Sequence, residues 1–372
     1  MGLSKYKLGD LIKQRDVRNS EGQYTLNDIK GISTGKEFID TKANMDGVSL
    51  FSYKVVAQRE FAYVADTSRR GEKIAIAFNA GSKPVLISSI YTVFRVSNEK
   101  KLLSNYLFMY FNRPEFDRYA RFNSWGSARE TFDWETLCNI DIELPDLPTQ
   151  QKYVDIYNAM VANQQAYERG LEDLKLTCDG YIEDLRRKMP CEKIGKYIIE
   201  RNIKNGIGLN VDSVRGISSG KELIDTKANM DGVPLGNYKI VKPNEIAFIS
   251  DTSRRGDKIS LAINSSPKVY LVSSISTVFE TNKKYLIPQY LFLFFLRAEF
   301  DRYARFHSWG SARETFNWED MCDVQIPIPD MGVQKSIAEM YTVYNARKII
   351  NEQLKTQIKN ICPILIRGSL EE

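Results

Sequence analysis

Two adjacent arginines inside a glycine-terminated turn stand at Asp66–Lys73 (D-T-S-R-R-G-E-K) and again at Asp251–Lys258 (D-T-S-R-R-G-D-K). The forks of Arg69 and Arg70, and of Arg254 and Arg255, with Lys73 and Lys258 beside them, suit phosphate contact or bidentate reading of a guanine. Solvated arginines on a turn would carry the same letters. A second constellation, S-W-G-S-A-R-E-T-F, fills Ser124–Phe132 and Ser308–Phe316, and each copy follows E-F-D-R-Y-A-R-F. Arg118, Arg121 and Arg129, with Arg302, Arg305 and Arg313, gather cations there. Ser124, Gly126 and Ser127, and in the second copy Ser308 and Ser311, add small residues and hydroxyls that suit close approach to phosphate oxygens. Trp125 and Trp309 are expected in the core, with stacking on a base as the alternative. Lys36, Lys42, Lys221 and Lys227 are candidates for further phosphate contacts.

Catalytic chemistry is hard to find by comparison. There is no G-x-x-x-x-G-K-[ST] loop for a nucleoside triphosphate, no well-formed G-x-G-x-x-G, and no cysteine and histidine spacing for zinc. The shared carboxylates (Asp66/Asp251, Asp117/Asp301, Glu130/Glu314) each neighbour an arginine, which favours ion-pair or capping roles over acid–base work. The single histidine, His307, faces Asn123 in the other copy and reads as a polar residue beside a loop. Pro145–Asp146 and Pro329–Asp330 open a nuclease-like P-D…E-x-K pattern that no E-x-K completes. The net charge of +5 neither demands nor excludes a polyanion, so any basic surface must come from its distribution. Five scattered cysteines suit thiols in a reducing cytosol. No run of 18 apolar residues and no apolar leader is present, so a cytoplasmic protein without membrane partners is expected.

The elements that must position these groups come in duplicate. I-D-T-K-A-N-M-D-G-V recurs at Ile39–Val48 and Ile224–Val233, and K-L-G-D-L-I at Lys7–Ile12 answers K-I-G-K-Y-I at Lys193–Ile198. Such repetition means two copies of one module. Within the first, the short β-branched runs Phe61–Ala65, Ile74–Phe78, Val85–Ile90 and Tyr91–Val96 predict strands. Tyr106–Phe122 predicts helix around an Arg113–Pro114 break, and Ile140, Ile142 and Leu144 predict a closing strand. Strands first and helices at one end give an α+β class. Residues 149–190 and 332–372 are richer in helix formers. Val154, Tyr157, Val161, Gln164, Glu168 and Leu171 alternate spacings of three and four, continuing through Cys178, Tyr181 and Leu185. Ile337, Met340, Tyr344, Arg347, Asn351, Leu354, Ile358 and Ile361 do the same. The expected organisation is a domain at 1–148, a spacer helix at 149–190, a second domain at 191–331 and a second spacer helix at 332–372. Two helices of about 35 residues, each about 50 Å long, pair as an antiparallel coiled coil with an approximate two-fold relation between the globular α/β domains.

With G-S-A-R at Gly126–Arg129 and Gly310–Arg313, a strand running into L-P-D-L-P-T-Q-Q or I-P-D-M-G-V-Q, and the mid-module strands V-L-I-S-S-I-Y-T-V-F and V-Y-L-V-S-S-I-S-T-V-F, the chain resembles the DNA-specificity subunits of type I restriction–modification enzymes over essentially its whole length. The resemblance implies a non-catalytic prokaryotic subunit whose two target recognition domains read the halves of a split site in double-stranded DNA. It also implies docking of two modification (methyltransferase) subunits and of restriction (translocase and endonuclease) subunits. No cofactor is then bound by this chain; S-adenosylmethionine and ATP with Mg belong to the partners, and the adenine to be methylated flips into a partner's pocket. Near-identical modules predict a gapped, nearly palindromic target, with Phe38/Leu223 and Asn123/His307 as places where symmetry could break. The alternative is a protein-interaction scaffold with two binding domains on a helical strut, which leaves the clustered arginines unexplained.

Overall fold

A computed structural model describes the chain apart from residues 1, 2, 42, 69, 70, 72, 128, 227, 253–257 and 312. The chain divides into two compact units, residues 1–166 with 351–372, and residues 167–350. The first unit contains β1 (Ser4–Lys7), β2 (Ile12–Arg15), β3 (Lys30–Ile32), β4 (Phe38–Asp40), β5 (Lys54–Val56), β6 (Glu60–Tyr63), β7 (Ile76–Phe78), β8 (Val85–Ile87) and β9 (Thr92–Val96). After them come α1 (Ser104–Phe111), α2 (Pro114–Phe122), α3 (Trp134–Cys138) and β10 (Asp141–Leu144). The central layer is an antiparallel sheet in the order β2-β9-β6-β7, and β1–β10, β3–β4 and β5–β8 form smaller antiparallel pairs.

This sheet is covered on both faces, and the sequence shows how. Strand alternation sends Phe61 and Tyr63 of β6 to one side and Ala62 to the other. Phe61 and Phe94 stack at 5.0 Å and join Phe111, Phe116 and Phe132 in the large core beneath α1 and α2. Ala62, Ala77, Val56, Ile87 and Val93 form a tighter core opposite, where small side chains let the strands of the second layer approach. The helical region breaks where Pro114 occupies the first turn of α2. Proline is tolerated there because that N–H has no helical partner, and it holds Arg113 extended at φ −83°, ψ 142°.

The second unit repeats the plan: β11 (Cys191–Lys193), β12 (Ile198–Arg201), β13 (Arg215–Ile217), β14 (Leu223–Asp225), β15 (Lys239–Val241), β16 (Ile246–Ile249), β17 (Leu261–Ile263), β18 (Tyr270–Val272), β19 (Ser276–Thr281) and β20 (Gln325–Pro327). The sheet order β12-β19-β16-β17 reproduces that of the first unit. The long helix α4 (Leu147–Lys188) precedes these strands. Helices α5 (Pro288–Phe295), α6 (Ala298–Phe306), α7 (Trp318–Cys322) and α8 (Met331–Glu371) complete the chain.

The long helices are 42 and 41 residues, longer than the three-four rhythm alone suggested. They pack antiparallel inside each unit. In the first, Lys152 pairs with Glu372, Tyr153 lies against Gly368, and Gln164 Nε2 donates to Asn351 Oδ1 at 3.0 Å. In the second, Gly170 faces Arg347, and Cys178 and Ile182 share a core with Ile337 and Tyr341. One expected seam residue is corrected: Tyr181 is 50% exposed, and its neighbour Ile182 is fully buried. The alternation of four and three runs from Cys178 to Ile182 to Leu185, and a step to Tyr181 leaves that stripe.

Candidate nucleic-acid interface

Helix α2 delivers the chain into the repeated nonapeptide. Ser124 is buried, and its hydroxyl donates to Ala120 O at 2.6 Å, closing the helix end. Ser308 does the same to Ala304 O at 2.6 Å. Both hydroxyls are therefore turned inward, away from any approaching phosphate. Trp125 and Thr131 exchange backbone hydrogen bonds at 3.1 and 3.0 Å and close a short hairpin. Gly126 turns it with φ 142°; a Cβ there would sit 2.1 Å from Arg129 O, so only glycine fits. Gly310 has φ 143° and the same conflict with Arg313 O at 2.0 Å. The small residue serves the hairpin's own closure.

The hairpin is laid beside the other motif. Thr67 N donates to Glu130 O at 2.9 Å, Phe132 N donates to Ala65 O at 2.8 Å, and Asp66 bridges Thr131. In the second unit Thr252 N donates to Glu314 O at 3.0 Å and Phe316 N to Ser250 O at 2.9 Å. Two segments about 60 residues apart in sequence (Thr67 and Glu130) thus form one surface. Arg69, Arg70, Arg254 and Arg255 themselves, like Lys42 and Lys227, lie outside the described residues. Ser127 and Arg129, Ser311 and Arg313, and Lys73 and Lys258 are exposed. Arg121 is ion-paired with Glu130 across the hairpin, and Arg305 with Glu314. These glutamates hold arginines in place, as their neighbourhood suggested.

Besides the inward-turned hydroxyls of Ser124 and Ser308, two further expectations are overturned. Trp125 and Trp309 are not core residues: they are 70% and 68% exposed, and Phe122 and Phe306 beside them are 77% and 75% exposed. Cross-strand partners in an antiparallel pair point to the same side. Thr131 opposite Trp125 faces out while Phe132 is fully buried, so the hairpin register puts the indole outside. Lys36 and Lys221 are buried rather than offered to phosphate. Lys36 Nζ reaches Asp117 Oδ1 at 2.5 Å, and Lys221 Nζ reaches Asp301 Oδ1 at 2.7 Å and Phe295 O at 2.5 Å. Burial pulls both ammonium groups below the ordinary lysine pKa, against the opposing pull of the partner aspartates. Asp117 also accepts from Ile74 N at 3.3 Å, so it ties a turn, a helix and a strand entrance together.

Sequence reasoning passed over two residues that hold the frame. Gln150 Nε2 donates to Lys101 O and Pro145 O at 2.8 and 2.9 Å, and its Oε1 accepts from Leu103 N at 3.0 Å. Gln334 repeats all three bonds to Tyr285 O, Pro329 O and Ile287 N. The shared glutamine after each P-D was the visible signal. The His307 ring lies against Tyr303 at 4.2 Å, tilted by 37°, where Asn123 Nδ2 instead donates to Tyr119 O at 2.9 Å.

Residues 6–174 and 187–360 each match the type I restriction modification DNA specificity domain. The chain belongs to this family. It is a DNA specificity subunit of a type I restriction–modification system, a non-catalytic component that works with partner subunits and DNA. Among solved structures it is similar to the S subunit of a type I restriction–modification system from M. genitalium, at 10% identity over 99% of this chain and 96% of that one, with a TM-score of 0.57. It is also similar to the HsdS subunit from Thermoanaerobacter tengcongensis, at 13% identity, 99% and 96% coverage and a TM-score of 0.37. A comparison with curated proteins found no match. Among the described residues, no helix of this specificity subunit is long and apolar enough to cross a membrane.

Proposed function

We propose that each module of this specificity subunit reads one half of a split duplex site, and that the halves are nearly the same short sequence on opposite strands. One observation carries the reading: the two candidate surfaces match residue by residue, down to the glycine torsion, the exposed indole and phenyl, and the arginine–glutamate pair. Equal surfaces select equal bases. The contacts come from Ser127, Arg129, Lys73 and the indole of Trp125, with Arg121 steadied by Glu130, and from their counterparts Ser311, Arg313, Lys258, Trp309 and Arg305. His307 against Asn123, and Leu223 against Phe38, are the positions at which one half-site can depart from the other.

Two modification subunits and restriction subunits dock on this chain in the same reading. They supply S-adenosylmethionine, ATP and Mg. Its support is the family match over residues 6–174 and 187–360. Sequencing of methylated adenines in a host carrying the chain with its partners tests the proposal. Inverted copies of one half-site are expected; two unrelated half-sites would overturn it.

A further inference from the structure

The spacer helices carry one feature that their packing does not explain. At an offset of 184, residues 169–188 of α4 align with 353–372 of α8, and only three positions keep the same residue: Lys175/Lys359, Cys178/Cys362 and Ile182/Ile366. The cysteines and isoleucines are buried in the two cores. Lys175 and Lys359 are exposed, where substitution is otherwise free.

Lys175 lines a cavity of about 220 Å³ in the second unit, together with Lys221, Lys258, Asp179, Asp301 and the turn at Ser219–Gly220. The acids there are already engaged. Asp301 holds Lys221, and Asp179 lies 3.8 Å from Arg297 Nε. Lys175 and Lys258 make no ion pair among the described residues, and both are close enough to add to the burial that depresses the Lys221 pKa. Asp179 also acts on Lys175, so the lining sets three lysines against two aspartates and keeps one net positive charge. It shares Lys258, Ala298 and Asp301 with a neighbouring recess of about 590 Å³ lined by Arg302, Arg305 and Phe306. That recess lies along α6, the helix that runs into the Trp309 hairpin. In the first unit the repeat supplies Lys359, Lys73 and the buried pair Lys36–Asp117 at the matching positions.

We infer that Lys175, on the spacer helix itself, joins Lys258 in binding a phosphate group, and that Lys359 joins Lys73 in the same way. The adjoining arginine-lined recess favours a backbone phosphate of the bound duplex over a free phosphate or nucleotide. The inference rests on the DNA-binding function and not on the symmetry of the target. A lysine that reaches a phosphate displaces about one condensed counterion, lowering the log affinity–log salt slope by about 0.9 on removal.

The test measures binding of the full-length chain to a duplex carrying its methylated site, across a salt series. Lys175→Ala and Lys359→Ala are each expected to make the slope shallower by about 0.9, and the double variant by about 1.8. Lys175→Arg is expected to keep it, and the methylated sequence is expected to be unchanged in every variant. Unchanged slopes in the single and double variants would overturn the inference. So would variants whose DNA slope is intact but which have lost binding of inorganic phosphate, since the group bound would then not be the duplex. An asymmetric methylated site with lowered slopes would sink the palindromic reading and leave this one standing.

Discussion

Lys36 and Trp125 exchange the roles that their types suggest. A lysine in a shared polar loop is buried, and a tryptophan in a shared motif is exposed. Each assignment has a consequence that stability measurements detect. Trp125→Ala and Trp309→Ala are expected to change the free energy of unfolding by less than about 0.5 kcal/mol, because little contact is lost. Trp134→Ala, which removes a ring packed 5.5 Å from Phe94, is expected to destabilise by roughly 3 kcal/mol. Chemical denaturation compares them, and a large loss at Trp125 would mean that the indole is covered.

Asp117→Asn strands the Lys36 charge in the core, an expected loss of roughly 3–5 kcal/mol. The pH dependence has a definite sign. Without its aspartate, the folded-state pKa of Lys36 falls further below the ordinary 10.5. Between those two values the unfolded chain binds more protons than the folded one, so stability rises with pH. Relative to the native chain, the variant's unfolding midpoint is expected to climb as pH rises towards 10.5; a relative fall on that approach would contradict a buried, unpaired ammonium group.

Among the elements, the start of each long helix matters most to the placement of the reading surface. Gln150 joins the first turn of α4 to the segment entering α1 and to the end of β10. Gln150→Leu leaves Leu103 N, Lys101 O and Pro145 O without their partner in a closed site, an expected loss of about 3 kcal/mol. Thermal unfolding would show it, and a neutral result would mean that solvent reaches those groups. The helices themselves were readable because spacings of three and four run through most of each one, although Gln164, Glu168, Arg347 and Asn351 interrupt the apolar stripe. The exchange of Tyr181 for Ile182 shows the limit: both are apolar enough for a seam, and only packing against α8 selects between them. Strand positions were readable for a related reason, since β6 and β7 alternate large and small residues between two cores.

For the whole molecule, the division of the helices between units is the decisive feature. Residues 1–166 are completed by residues 351–372, so Val154 shares its core with Cys362, Leu365 and Ile366 from the far end of the chain. A fragment of residues 1–188 is expected to unfold at a lower midpoint than the same unit in the full chain, and a peptide of residues 345–372 is expected to raise that midpoint in a concentration-dependent way. A fragment indifferent to the peptide would show that the first unit does not need the terminal helix.

The amino-acid sequence by itself determined that there are two copies of one module, that each is α+β, and that a long helix follows each. These are repeated or periodic signals, and a local pattern is enough to specify which face of an element is apolar. The tertiary structure decided which charges are available. Whether a lysine is spent on Asp117, 81 residues away, or left without an ion pair among the described residues, like Lys175, depends on which distant groups packing brings to its side. Burial and pairing are properties of the assembled neighbourhood, and no spacing along the chain encodes them.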